Sequence, residues 1–304
     1  MNIAIFGSSG FIGKNLVEYL TSVSQVQEVS LRKDSWENSI DDSVVIFINL
    51  VGKAHDHQSQ ATESDYYFSN VELTKQIFDV FKHSDAKLFI HISSIAAIEE
   101  YKSLKTLTET DECRPVSFYG KSKREAEKWL LQQEVQKEKK IIIIRPPMVH
   151  GVGDKGNLGL LHKLIIRGIP YPLSSFDNSR SFISMDNFSF LLGQIIEKQE
   201  SLSSGIYHFA DDETISTSEI IDIIALVEGK KAAKFRIPKN VMISIAKIGD
   251  ILRLPLNTKR LTKMTSDLEV SNTKIKEALK IEKLPLSATD GLKQTILSFK
   301  KNKL

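Results

Sequence analysis

Two side chains in this sequence are placed to move a proton. Tyr119 and Lys123, in Phe118-Tyr119-Gly120-Lys121-Ser122-Lys123, are four residues apart, so a helix beginning here sets both on one face. An ammonium beside a phenol draws the phenol's pKa down from about 10 toward neutrality. Tyr119 can then serve as general acid or base at a carbonyl or alcohol oxygen. Tyr-x-x-x-Lys also arises by chance as an exposed helix pair, so the pattern needs company. Ser93-Ser94 provides it, closing an apolar run at 87–92. A hydroxyl at the carboxyl edge of a parallel sheet lies where ligands bind, and Ser94 can bond the same substrate oxygen.

A second constellation opens the chain. Gly7-Ser8-Ser9-Gly10-Phe11-Ile12-Gly13 follows the apolar run Asn2 to Phe6 and precedes a helical pattern. Gly7 permits a tight turn, Gly10 removes a side chain that would block a pyrophosphate, and Gly13 lets the helix pack close to the strand. The helix N-terminus then offers free N–H groups and a positive dipole end. A strand before and a helix after are the context that makes such a pattern a dinucleotide fingerprint. An oxidised nicotinamide would add its positive charge to the pull on Tyr119.

The end of the second strand separates the two forms of the cofactor. A carboxylate there binds the ribose 2′-hydroxyl, and a basic residue accommodates a 2′-phosphate. The sequence has Glu28-Val29-Ser30-Leu31-Arg32-Lys33-Asp34. Arg32, with Lys33 beside it, favours NADP(H). Asp34, or a frame shifted by one or two residues, restores an NAD(H) site, and that alternative stays open.

These groups require a scaffold. Short apolar or β-branched runs at Asn2 to Phe6, Val26 to Leu31, Val44 to Leu50, Lys87 to Ile92 and Ile141 to Ile144 are expected strands. Amphipathic stretches at Ile12 to Thr21, Asn70 to His83 and Ser122 to Val135 are expected helices. This alternation predicts an α/β fold, a Rossmann-like doubly wound parallel sheet with helices on both faces. Four consecutive isoleucines at 141–144 fit a strand covered on both sides. Beyond Arg145-Pro146-Pro147 glycines crowd together, and a smaller α/β substrate domain is expected. The division is 1–150 for the cofactor and 151–304 for the substrate, with a stretch near 178–200 returning to the first. Val241 to Leu254 is apolar around much of its circumference. Its polar side is thin and not strongly basic, so it is expected to pack inside the second domain rather than lie on a membrane.

In order and spacing, these motifs resemble the extended short-chain dehydrogenase/reductases, the NAD-dependent epimerase/dehydratase group, over nearly the whole chain. The resemblance implies Ser94, Tyr119 and Lys123 as catalytic trio. It implies a cofactor site made by Gly7, Ser9, Gly10, Phe11, Ile12, Gly13, Arg32, Lys33, Leu50, Val51, Gly52, Asn70, Tyr119, Lys123 and Pro146, with Asn70 as its structural asparagine. Arg145-Pro146-Pro147-Met148-Val149-His150-Gly151 looks like the segment lining the nicotinamide. Lys155-Gly156-Asn157 and Asn178-Ser179-Arg180-Ser181-Phe182 resemble elements that grip a substrate pyrophosphate, which nominates Asn157 and Arg180. The nearest likeness is to bacterial nucleotide-sugar 4-epimerases and 4-keto-6-deoxy-hexosamine 4-reductases of surface-polysaccharide pathways, which implies a UDP-linked sugar and allows a homodimer. Two departures matter. Only about a dozen residues separate Arg32 from the next strand, too few for the usual strand that contacts adenine, and Ala97-Ile98-Glu99 stands where Val-Tyr-Gly is usual.

Three function classes remain. Reduction at C4 is the first expectation, with 4-epimerisation as its alternative by the same hydride chemistry. Dehydration needs an Asp-Glu pair after the catalytic hydroxyl, where this chain has Ile95-Ala96. A non-catalytic NADP sensor is disfavoured by the intact trio. A net charge of +3 gives no footprint for nucleic acid. One cysteine, Cys113, excludes an internal disulfide and suits a reducing compartment, and with no signal segment ahead of the first strand the expected location is the cytoplasm. His55 and His57 alternate on a polar loop without a third partner, so no metal is expected; His91 is expected to be a satisfied core histidine, and Asp211-Asp212-Glu213 a charged turn.

Overall fold

In the computed structural model, which describes residues 1–54, 60–154, 156–252, 254 and 256–301, five parallel strands appear within the first half of the chain. They are β1 (Asn2–Phe6), β2 (Gln25–Val29), β3 (Ile46–Asn49), β4 (Leu88–Ile92) and β5 (Lys140–Arg145). Between them run α1 (Phe11–Thr21), α2 (Glu63–Tyr67), α3 (Leu73–His83) and α4 (Phe118–Leu131). The isoleucines of β5 are at most 5 % exposed, as a strand covered on both faces requires.

The second half of the chain contributes β6 (Met148–His150), α5 (Asn157–Ile166), β7 (Phe182–Ser184), α6 (Met185–Glu197) and β8 (Gly205–His208). It ends with α7 (Thr217–Val227), α8 (Lys239–Leu252), α9 (Thr258–Thr265), α10 (Thr273–Leu279) and α11 (Ala288–Lys301). β8 pairs with β5, giving a six-stranded parallel sheet in the order β2-β1-β3-β4-β5-β8. The chain winds from β1 to β2 on one side, then crosses to β3 on the other. That reversal opens a crevice at the carboxyl ends of β1 and β3, where ligands bind in such sheets.

Helices cover both faces. α1 and α6 bring Leu16, Leu20, Phe188, Leu191 and Ile195 against Ile3, Ile5, Ile46 and Ile48. On the other side Ile77, Phe78 and Phe81 of α3 and Leu130 of α4 meet Phe47, Phe89 and Ile143. A separate core forms where α5, α7, α8 and α11 pack together around Leu158, Ile221, Ile224, Ala246, Leu292 and Ile296.

The departure expected after β2 is present, and two other expectations change. No strand lies beyond β2; residues 30–45 make only a short turn of helix at Trp36–Ser39, and the Trp36 ring covers that end of the sheet by packing edge-on against Phe6. The acidic triplet after β8 is more than a charged turn. Asp211 is buried and accepts hydrogen bonds from Asn187 and Ser184, Asp212 binds Lys276 at 2.7 Å, and Glu213 accepts from the amide of Ala288. Finally, α8 buries only Met242, Ala246 and Gly249, and leaves Val241, Ile245, Ile248, Ile251 and Leu252 exposed. Among the described residues no helix is long and apolar enough to cross a membrane. His55, His57 and Lys155 lie outside the described residues.

Candidate active site

The glycine turn sits at the reversal point of the sheet. Gly7 has a φ of +86°, and a Cβ on it would come within 3.0 Å of the Leu50 and Val51 backbone. A Cβ on Gly13 would stand 2.5 Å from the Gly7 carbonyl oxygen, so only glycine lets α1 approach β1 this closely. Gly10 is the N-cap of α1 and supplies no side-chain cap. The N-terminal amides of the helix therefore face the crevice without a competing side chain. Ser9 and Gly10 form the exposed rim, Ile12 packs into the core below, and Phe11 reaches toward Gly151.

Leu50, Val51 and Gly52 continue from β3 on the facing side. Asn49 accepts from the Val51 amide at 2.9 Å, and Asn70 accepts from the Lys53 amide at 2.8 Å. Asn70 is fully buried in a π-helical turn at Phe68–Glu72 and also donates to Ser122 at 2.8 Å. One amide thus ties the loop after β3 to α4. A Cβ on Gly52 would fall 2.6 Å from Asn70 Oδ1 and 3.1 Å from Lys123 Nζ.

Ser117 caps α4, its hydroxyl accepting from the Gly120 amide at 3.0 Å. Glu100 holds this end by accepting from the Ser117 amide and hydroxyl at 2.9 and 2.6 Å. Tyr119 lies in the first turn and Lys123 one turn on, with the Ser94 side chain beside the phenol. The three residues nominated for catalysis are therefore brought together.

Their electrostatics differ from expectation. Burial raises the Tyr119 phenol above its ordinary pKa, with Glu100 and Tyr66 adding to the rise and the Ser94 side chain opposing it. Lys123 does not offset this. Its ammonium donates to the Ile92 carbonyl at 2.8 Å, and burial lowers its own pKa to about 8. His91, buried beneath, shares one ring nitrogen with Asn49 at 3.2 Å while its Nε2 has no partner; burial and Lys123 hold its pKa well below 6.5. Only half of that histidine is satisfied.

Below α4 lies a polar lock that the sequence does not announce. Arg145, at the end of β5, has a fully buried guanidinium donating to both carboxylate oxygens of Glu127 at 2.7 and 2.6 Å. Ser93 donates to the same carboxylate at 2.5 Å, and Arg145 also reaches the Cys113 sulfur at 3.6 Å. The one local signal is Arg145, a charge closing an all-isoleucine run, and nothing near it in sequence names Glu127 as its partner. Pro146 carries its carbonyl to the Ile95 amide at 2.9 Å, joining β5 to the turn after Ser94.

The remaining nominees stand farther along. Asn157 heads α5. Arg180 donates to the Ser266 and Tyr101 carbonyls at 2.9 and 3.4 Å, so part of its guanidinium is already engaged. Asn178 and Ser181 are spent on the Thr217 and Val270 amides. Beside Arg180, α9 adds Lys263, which interacts with Glu100 and Arg180, and Lys259 over the Tyr101 ring at 5.5 Å. Arg32 and Lys33 are exposed in the turn after β2.

The cradle at 7–13 and 50–52 fits the diphosphate of a dinucleotide, since a Cβ at Gly7 or Gly13 would collide with backbone and the helix end is uncapped. Sheet, turn and trio define an NAD(P)-dependent enzyme of the Rossmann type. The chain belongs to the NAD dependent epimerase/dehydratase family, whose model matches residues 3–208. It is 28% identical to a UDP-glucose 4-epimerase of Vibrio cholerae over 98% of this chain and 95% of the relative. It is 21% identical to an N-acetyl-alpha-D-glucosaminyl-diphospho-ditrans,octacis-undecaprenol 4-epimerase of Escherichia coli O157:H7, over 97% and 94%. Among solved structures it superposes on the UDP-glucuronic acid 4-epimerase of Bacillus cereus in complex with NAD, with a TM-score of 0.76, 18% identity and 99% of each chain covered. It also superposes on RMD from Pseudomonas aeruginosa complexed with NADPH, with a TM-score of 0.77, 16% identity and 99% of each chain covered.

Proposed function

We propose that the chain catalyses hydride transfer at C4 of a nucleotide-linked hexose, with 4-epimerisation as the leading reading. The observation that carries it is the gathering of Ser94, Tyr119 and Lys123 beside the dinucleotide cradle, with Lys123 one helical turn beyond Tyr119 and its Nζ 3.1 Å from where a Cβ on Gly52 would stand. The names of the Vibrio and Escherichia relatives favour C4 and epimerisation. When bound, the nicotinamide supplies a hydride acceptor or donor at the sugar carbon.

The protein's own groups handle the rest. Tyr119 takes the proton from the sugar hydroxyl or returns it, and Ser94 orients that oxygen. Lys123 is assigned to the cofactor's ribose. Asn70 keeps the loop after β3 in register with α4, and the turn at Gly7, Gly10 and Gly13 takes the cofactor diphosphate. Asn157 and the free part of Arg180 are assigned to the substrate diphosphate, where a guanidinium forms short charge-assisted bonds.

A second reading, reduction of a 4-keto-6-deoxy sugar by NADPH, is favoured by Arg32 and Lys33 at the end of β2. One preparation separates the two. Purified protein carrying NAD+ and interconverting UDP-glucose or UDP-N-acetylglucosamine with its 4-epimer, without net cofactor turnover, is the result expected of an epimerase. Stoichiometric oxidation of NADPH by a UDP-4-keto-6-deoxy sugar would establish the reductase. Failure to bind either dinucleotide would overturn both.

A further inference from the structure

We propose that the outer face of α8 docks on an anionic membrane surface. Val241, Ile245, Ile248 and Leu252 follow one another at helical spacing and form a single stripe, exposed by 48, 40, 52 and 62 %, with Ile251 at its edge 80 % exposed. The adjoining stripe, Met242, Ala246 and Gly249, is the one that packs into the protein. A helix so placed presents apolar side chains that nothing among the described residues covers, which marks a binding surface.

Charge selects the occupant. Residues 229–249 hold six basic side chains and no acidic one; Lys234 is paired with Asp222 at 2.6 Å and Lys230 donates to the Ile166 carbonyl, and Lys231, Arg236, Lys239 and Lys247 carry the remaining charge. Asp250, the acid on the last turn, is turned away to accept from the amide and hydroxyl of Thr258. An apolar stripe flanked by lysine and arginine is the pattern that enters the boundary between acyl chains and anionic headgroups. A second copy of the chain is a poorer occupant, because a two-fold contact sets the same basic residues against one another. The surface is also continuous with the candidate site: α8 packs on α9, and α9 brings Lys259 over Tyr101 and Lys263 beside Arg180.

Sedimentation of the full chain with vesicles tests this. Binding to phosphatidylcholine vesicles containing phosphatidylglycerol is expected to exceed binding to phosphatidylcholine alone by at least about tenfold, and to weaken as salt is raised. The double variant I248E/I251E is expected to lose about tenfold or more of that binding while its melting temperature and NAD(H) affinity stay those of the parent, since both side chains are exposed. The milder I248S/I251S variant is expected to lose binding in part, and it preserves the test should the glutamates disturb folding. Equal binding to both vesicles would overturn the proposal, as would binding indifferent to the variants. So would a parent dimer that the variants convert to monomer without any vesicle binding.

Discussion

On the β4–β5 side of the sheet, polar side chains are buried and tied to one another; at the β2 edge they stand in water. Ser93, Glu127 and Arg145 form one buried set under α4, joined by Arg124 at 3.2 Å from Glu127, and Glu100 and Asn70 hold the same helix from two further directions. Arg32 and Lys33 hang on a turn after a five-residue edge strand. The first arrangement suits groups whose positions must be held closely for proton transfer. The second suits recognition of a charge at the far end of a long cofactor, where a looser fit costs less.

The contrast can be broken from either side. Tyr119→Phe is expected to lower turnover of UDP-glucose or UDP-N-acetylglucosamine roughly 10²- to 10⁴-fold. NAD(H) affinity, followed by fluorescence titration, should hardly change, and a parallel loss of both would deny Tyr119 a separate chemical role. Glu127→Gln leaves the buried Arg145 guanidinium without its counter-charge, so urea unfolding should show a loss of about 3–5 kcal/mol. A loss well below that range would mean that the lock under α4 contributes little to holding the catalytic side.

At the open edge the effects are smaller. Arg32→Asp should weaken NADPH binding about tenfold, the size of one charge-assisted hydrogen bond, and leave NADH binding equal or better. Tighter NADH than NADPH binding by the parent would remove the case for a 2′-phosphate site. Last comes a change of slope at the junction behind the sheet. Burial raises Asp211 from 3.8 to about 7, so the folded state keeps a proton that the unfolded chain releases. The stability of that protonated form is fully present below 3.8 and is lost as pH rises through about 7. The parent's melting temperature should therefore fall more between pH 5 and pH 8 than that of Asp211→Asn, and matching slopes would refute the assignment.

What the sequence disclosed and what it hid follow from range. The glycine turn, the Tyr119–Lys123 spacing and the isoleucine run are local patterns, each legible within a few residues, and the structure places them on a turn, a helix and a strand. Glu127 with Arg145 and Glu100 with Ser117 are 18 and 17 residues apart, and only packing makes them partners. Arg180 was visible as a charge in a suggestive motif, but the carbonyls that take up part of it belong to Tyr101 and Ser266, distant in sequence. For α8, composition showed an apolar helix, and only the fold shows which stripe is left outside.

The missing strand beyond β2 has a cost unrelated to cofactor. A strand that would otherwise be interior becomes a border, with a row of backbone donors and acceptors open to any extended chain that drifts alongside. The border is kept to five residues, and Glu28 sets a charge on it. Gln27 reaches sideways to donate to the Ser39 carbonyl and accept from the Asp41 amide, at 2.6 and 3.1 Å, drawing the returning loop against the edge. Shortening the chain here has thus replaced a neighbour strand with a guard against self-association.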